Sequence, residues 1–169
     1  MRRSLLWLVL ALLVAPGAAQ AQVQLLGAAG LTNPMSDLND ISDVGWHLMG
    51  GAELSVATLP VSLRADGSYD SFGEQGTNPR PKVLSGALSL VVRFPGVGLR
   101  PYVLGGVGVY RTSLDAVDSQ ATSDKGIHGA FGVDIGALGF GGFAELRLVD
   151  FERDSATFRY VTAMLGVRL

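Results

Sequence analysis

The chain has 169 residues, a formal net charge of −2 and no cysteine, which excludes a disulfide framework, a thiolate metal site and a lipid-modified N-terminal cysteine. Charged residues make up only 17%, against roughly 25% for soluble domains, and lysine is confined to Lys82 and Lys125. Such a surface suits neither water nor nucleic acid, so nucleic-acid partners are excluded.

The N-terminus, MRRSLLWLVLALLVAPGAAQAQ, opens on Arg2 and Arg3, continues with an apolar run from Leu5 to Val14, and ends in small residues. That order is a secretory signal, and Ala19-Gln20-Ala21 fits the A-x-A cleavage rule, so residues 1–21 are expected to be removed and residues 22–169 to form one domain. An anchor helix would need about 20 apolar residues, and this run stops at Pro16 and Gly17. Export without disulfides points to a bacterial envelope. No later window can span a bilayer as a helix, because the most apolar one, Val83 to Leu99, is cut by Arg93, Pro95 and Gly96. A mature chain that enters a membrane must therefore do so as strands.

Period-two alternation then repeats eight times. The first strand, Gln22 to Leu31, sets Val23, Leu25, Gly27, Ala29 and Leu31 on one face. A polar stretch, Asn33 to Val44, reads as a long loop before the second strand, Trp46 to Val56, with Leu48, Gly50, Ala52, Leu54 and Val56 opposite His47, Met49, Gly51, Glu53 and Ser55. After a tight turn at Thr58-Leu59-Pro60, Val61 to Tyr69 alternates most cleanly, apolar positions against Ser62, Arg64, Asp66 and Ser68. Ser71 to Lys82 is a second long loop; the fourth strand sets Leu84, Gly86, Leu88, Leu90, Val92 and Phe94 against Ser85, Ala87, Ser89, Val91 and Arg93, and turns at Pro95-Gly96-Val97-Gly98.

The fifth strand, Arg100 to Arg111, has less distinct faces, because Val103, Val107 and Val109 share a side with Arg111, and a bulge is expected there. Thr112 to Lys125 is the longest loop, and the sixth strand follows with Ile127, Gly129, Phe131, Val133 and Ile135 opposite His128, Ala130, Gly132 and Asp134. Ala137-Leu138-Gly139 turns it into the seventh strand, Phe140 to Phe151, with Glu145 and Arg147 opposite Ala144, Leu146 and Leu148. A modest loop, Glu152 to Ala156, precedes the last strand, in which Val161, Ala163, Leu165, Val167 and Leu169 alternate with Thr162, Met164, Gly166 and Arg168. An apolar face that runs to the last residue needs cover, and both strand edges need partners.

Long connections alternate with short ones, the two-sided pattern of outer-membrane barrels. The six prolines after the leader fall in connections or near strand starts. Aromatics collect near strand ends: Trp46, Tyr69, Tyr110, Phe151 and Tyr160 toward the long loops, Phe94, Tyr102 and Phe140 toward the turns, which predicts two girdles. The reading is an all-β, eight-stranded antiparallel up-and-down transmembrane β-barrel. Its non-lipid face carries Glu53, Arg64, Asp66, Arg93, Asp134, Glu145, Arg147 and Arg168, four acids and four bases. An interior of about eight strands is wide enough only for side chains, so this balance predicts a packed ion-pair network and a plugged barrel. If Thr58-Leu59 is the turn pair, Glu53 and Arg64 stand opposite each other and touch.

RPYVLGGVGVY at Arg100 to Tyr110, GGFAELRL at Gly141 to Leu148 and VTAMLGVRL at Val161 to Leu169 give the mature chain a pattern that resembles the small outer-membrane β-barrel family, the transmembrane-domain type of OmpA and OmpX. The resemblance implies outer-membrane lipid as the surroundings, and the barrel-assembly machinery, which reads the C-terminal strand, as a partner. Family members usually end in an aromatic, whereas this chain ends in Leu169.

Other patterns carry less. Gly139-Phe140-Gly141-Gly142-Phe143-Ala144 fits G-x-G-x-x-A, but no helix pattern follows, so no nucleotide cofactor is expected. Asp37, Asp40 and Asp43 lack the spacing and glycine of a Ca²⁺ loop and read as solvated. His47, with Ser42 and Asp43 shortly before it, and His128, near Ser123 and Asp124, would be the candidates for a lipid-modifying site, but no nucleophile motif accompanies them. A soluble barrel carrying a ligand would instead turn its aliphatic face inward. No catalytic, cofactor-binding or metal-binding residue is assigned, and the expected role is structural, adhesive or interactive, carried by the loops.

Overall fold

Eight segments that are each oily on one face and polar on the other can cover both faces and both edges at once by closing on themselves. The computed structural model describes residues 21–36, 42–56, 60–74, 81–114, 122–137, 140–153 and 156–169, and among them this closure is what the strands form. The strands are β1 (Ala21–Ser36), β2 (Ser42–Val56), β3 (Val61–Glu74), β4 (Pro81–Arg93), β5 (Leu99–Leu114), β6 (Thr122–Ala137), β7 (Phe140–Arg153) and β8 (Ala156–Arg168). Each pairs antiparallel with its sequence neighbours in a closed barrel. β8 closes it against β1, with Leu26 opposite Arg168 and Ser36 opposite Phe158, and the backbone of Leu169 exchanges two 2.9 Å hydrogen bonds with Leu25. No described helix is long and apolar enough to cross a membrane. The leader, residues 1–20 of the expected 1–21, lies outside the described residues.

The parity of every strand is the expected one. Aliphatic side chains stand outward, Leu165 at 70% and Ile127 at 64% exposure, while Arg64 is 0% and Glu53 1% exposed on the inside. A ligand carrier needs the reverse arrangement.

Three expectations are corrected. The ladders run 13 to 16 residues, so the stretches read as loops at 33–44, 71–82, 112–125 and 152–156 are in large part strand. Pro34, expected in a loop, lies inside β1 opposite Tyr160 of β8, beyond the last recorded pair with β2 at Thr32–Gly45, where its missing N–H disturbs only one ladder. Alternation reports where one face is oily, not where the hydrogen-bonded ladder stops. The bulge is not in β5, whose registers with β4 and β6 are continuous; the shift falls in β2, between Asp43 and Trp46. Arg111 shares the outward side with Val109 because it is the first polar outward position above the apolar run.

The aromatic girdles are only partly present. Trp46 and Tyr69 do meet on the outer wall, ring centroids 5.2 Å apart, and Phe94 is exposed. Tyr102, Tyr110, Phe151 and Tyr160 are instead buried in the interior, and the Phe140 side chain lies outside the described residues. Position along a strand sets height, and parity alone sets the side: Tyr102 and Tyr110 share the parity of inward Leu104.

Candidate functional site

Six strands aim charged side chains at the barrel axis; six of the eight are buried, and Arg93 and Arg168, near the turn end, are half-buried. The register places Glu53 of β2 opposite Arg64 of β3, and Arg64 Nε donates to Glu53 Oε2 at 3.1 Å, as the hairpin count requires. The turn pair Thr58-Leu59 itself lies outside the described residues. Arg64 also reaches across the lumen, Nη1 donating to Glu145 Oε2 of β7 at 2.7 Å.

Glu145 accepts two more hydrogen bonds, from Arg147 Nε at 3.0 Å and from the Tyr102 hydroxyl at 2.7 Å. Arg147 in turn donates to Asp66 Oδ1 at 2.8 Å. On the other side, Glu53 accepts from Ser62 at 2.6 Å and Arg168 at 3.1 Å, and pairs with Arg93 at 2.5 Å. Arg93 and Arg168 both close on Asp134, at 2.9 and 2.8 Å. All eight charges named from the sequence thus belong to one chain of contacts, Asp66–Arg147–Glu145–Arg64–Glu53, continued through Arg93 and Arg168 to Asp134. Its bases also face aromatic rings: the Arg64 guanidinium is 5.4 Å from the Tyr102 centroid, and that of Arg168 5.1 Å from Phe143.

Two apolar clusters, which the sequence reading did not anticipate, lie inside the same barrel. Leu26, Met49, Val91, Tyr102, Leu104, Phe143 and Met164 pack together. Phe72, Val83, Tyr110, Val149, Phe151 and Tyr160 form the second, where Tyr110 stacks on Phe151 at 5.0 Å. Parity had already set Met49, Val91 and Met164 on the inward face; for the aromatics Tyr102, Tyr110, Phe151 and Tyr160 the same signal was available, but their height along the strands argued for the girdles. Gly132 makes room for one of them, since a Cβ there would lie 2.2 Å from Tyr102 Cζ. Gly132→Ala is therefore expected to push the Tyr102 ring off Glu145 and to destabilise the barrel by about 1–3 kcal/mol, the usual range for overpacking. Urea unfolding in detergent measures it, and an unchanged midpoint would show that the ring yields freely.

The histidines do not assemble the sites their sequence neighbours offered. His47 Nδ1 lies 2.7 Å from Asp70 Oδ1 of β3, not against Asp43, which is exposed. His128 Nε2 lies 2.7 Å from Ser89 Oγ of β4, and its Nδ1 lies 3.3 Å from the Tyr110 hydroxyl; Ser123 and Asp124 are not its partners. Both histidines and Ser89 are buried inside the barrel. No metal-binding cluster occurs among the described residues; Asp37 and Asp40 lie outside them. Gly141 to Ala144 are strand, so the G-x-G-x-x-A pattern has no helix N-terminus on which to hold a phosphate.

No protein-family model and no curated protein sequence matches the chain. Solved structures do. Neisserial surface protein A, NspA, superposes with a TM-score of 0.73 at 16% identity, over 88% of this chain and 97% of that one. Ail, the attachment invasion locus protein of Yersinia pestis, gives 0.59 at 12% identity, over 89% and 99%. The N-terminal β-barrel domain of Pseudomonas aeruginosa OprF gives 0.52 at 17% identity, over 89% and 100%. With eight antiparallel strands closed β1 to β8, aliphatics outward and charges inward, the chain has the fold of the small outer-membrane β-barrels of the OmpA and OmpX type.

Proposed function

We propose that this chain is an integral, non-enzymatic protein of a bacterial outer membrane, with an ion-paired lumen that is closed to solutes and a structural, adhesive or surface-interaction role carried by its outer connections. Residues 1–21 direct export, and the barrel-assembly machinery receives the C-terminal strand. The observation that supports this most strongly is the inverted polarity: aliphatics outside, and Arg64, Glu53, Glu145 and Arg147 buried within a closed sheet. In water that arrangement exposes far more contiguous apolar surface than the few hundred Å² a soluble monomer usually shows. Surface roles are also what the names of two structural neighbours describe for those proteins, neisserial surface protein A and an attachment invasion locus protein.

The test is heat-modifiable gel migration together with planar-bilayer conductance. The unboiled protein is expected to migrate ahead of the boiled protein and to insert without conductance steps, because side chains bridge the lumen from β3 to β7. Steady unitary conductance would overturn the closed lumen, and absence of a migration shift would overturn the membrane barrel. The same preparation is expected to release no fatty acid from outer-membrane lipid. Release that disappears in His128→Ala would reverse the non-enzymatic assignment.

A further inference from the structure

Charge on the outer wall is not scattered. The only two lysines of the chain and Arg111 fall on three consecutive strands, at the upper limit of the apolar wall. On β5 the outward series Val103, Gly105, Val107, Val109 ends at Arg111, and on β6 the series Ile135, Val133, Phe131, Gly129, Ile127 ends at Lys125. The register sets Lys125 beside Val109 and Arg111 beside Leu84, so the two cations are diagonal neighbours across β5 and β6. Lys82, two residues above Leu84, extends the row onto β4. Arg111 and Lys125 are exposed and make no ion pair among the described residues. Of the acids on the adjoining strand, Asp150 is taken by Arg159 and Glu152 is exposed, while Asp124, beside Lys125 on β6, has the inward parity of His128; on the outward face Arg111 and Lys125 therefore stand as two positive charges against Glu152.

Directly beneath the patch the wall is hollow. A groove of roughly 520 Å³ is lined by Gly86, Leu88, Val107, Val109, Ile127 and the stem of Lys125. It exists because Gly86 faces outward without a side chain; a Cβ there would meet nothing within 4 Å. Gly105 and Gly129, opposite one another and both exposed, lie farther down the same wall.

An apolar groove on the outer wall, bordered by cations at its polar end, matches an acyl chain joined to an anionic headgroup. Guanidinium and ammonium groups both bind phosphate oxygens through charge-assisted hydrogen bonds, and they do so best where hydrocarbon displaces water. We propose that the outer face of β4, β5 and β6 is a binding site for a phosphorylated, multiply acylated lipid of the outer leaflet, its phosphate on Arg111 and Lys125 and one acyl chain in the groove over Gly86. The site rests on the outer-membrane reading above, since a barrel standing in water has no such lipid beside it.

The test uses the purified mature barrel in detergent micelles, titrated with phosphorylated lipid A, with the same lipid stripped of its phosphates, and with inorganic phosphate; native mass spectrometry reads the lipid retained. Phosphorylated lipid is expected to be retained at least about tenfold better than the stripped form, and the Arg111→Gln/Lys125→Gln pair to weaken retention about 10- to 30-fold, the effect of two cations at an anionic lipid surface. Gly86→Leu, which fills the groove from the outside, is expected to weaken retention as well while leaving heat-modifiable migration intact. Equal retention of the two lipids, unaltered retention in the variants, or displacement by inorganic phosphate alone would overturn the site. Insertion into zwitterionic vesicles, read by the same migration shift, separates the two claims: an inserted barrel without selective retention removes only this site, and failure to insert removes the membrane reading as well.

Discussion

Arg64→Leu is expected to destabilise the folded barrel by about 3–5 kcal/mol, the cost of breaking a buried ion pair from one side. Arg64 is fully buried and bridges Glu53 and Glu145. Its loss leaves the connected ion-pair network with four acids and three bases, and takes from Glu145 its 2.7 Å donor from β3. The remaining partners of Glu145, Arg147 and Tyr102, keep the carboxylate hydrogen-bonded but not its charge balanced. Adding Glu145→Gln to Arg64→Leu restores neutrality and is expected to recover at least half of the loss. Urea midpoints in detergent, read from the ratio of fast to slow gel bands, give both values. A loss under about 1 kcal/mol, the level of a solvated surface pair, would show that water reaches the network, and with it that the lumen is open.

Leu146→Arg is expected to cost about 2–4 kcal/mol when the protein unfolds from a bilayer, the penalty for arginine on the lipid face near the midplane. Leu146 is midway along β7, half exposed between Phe131 of β6 and Ala163 of β8. In water the same substitution touches nothing and would fall within about 0.5 kcal/mol of neutral. Ser123→Arg, on the outward face of β6 beyond Lys125, is the rim control, where about 0–1 kcal/mol is expected. Equal small effects at both positions would remove the hydrocarbon from around the barrel.

The lumen contacts divide by how far apart in the chain their partners lie. Glu53 and Arg64 could be matched by counting outward from one short turn, because a hairpin leaves a single register. Arg64–Glu145 and Arg147–Asp66, each 81 residues apart in the chain, could not. Which residues meet across the lumen depends on the stagger of the closed barrel, and that is set by the β1–β8 register joining the first and last strands. The inward course of Tyr102, Tyr110, Phe151 and Tyr160 was legible from parity, and it was hidden by weighing their hydrophobicity and height instead. Of the histidine partners, Asp70 falls opposite His47 on the same β2–β3 register that sets Glu53 opposite Arg64, so the hairpin count already contained it; Ser89 on β4, with β5 between it and His128 on β6, belongs with the long-range pairs.

Alternation of apolar and polar residues was enough, by itself, to determine the number of strands, the side each faces and eight of the charges that share an interior, because a strand's side-chain direction repeats every two residues whatever surrounds it; buried Asp70 escaped because it lies one residue past the strand end read from the sequence. Where each ladder ends, which guanidinium holds which carboxylate, and the juxtaposition of Arg111 and Lys125 above a glycine-floored groove were decided only by the closed sheet. Those features depend on distances between strands, and no local property of a strand encodes its stagger against a neighbour until the cylinder is shut.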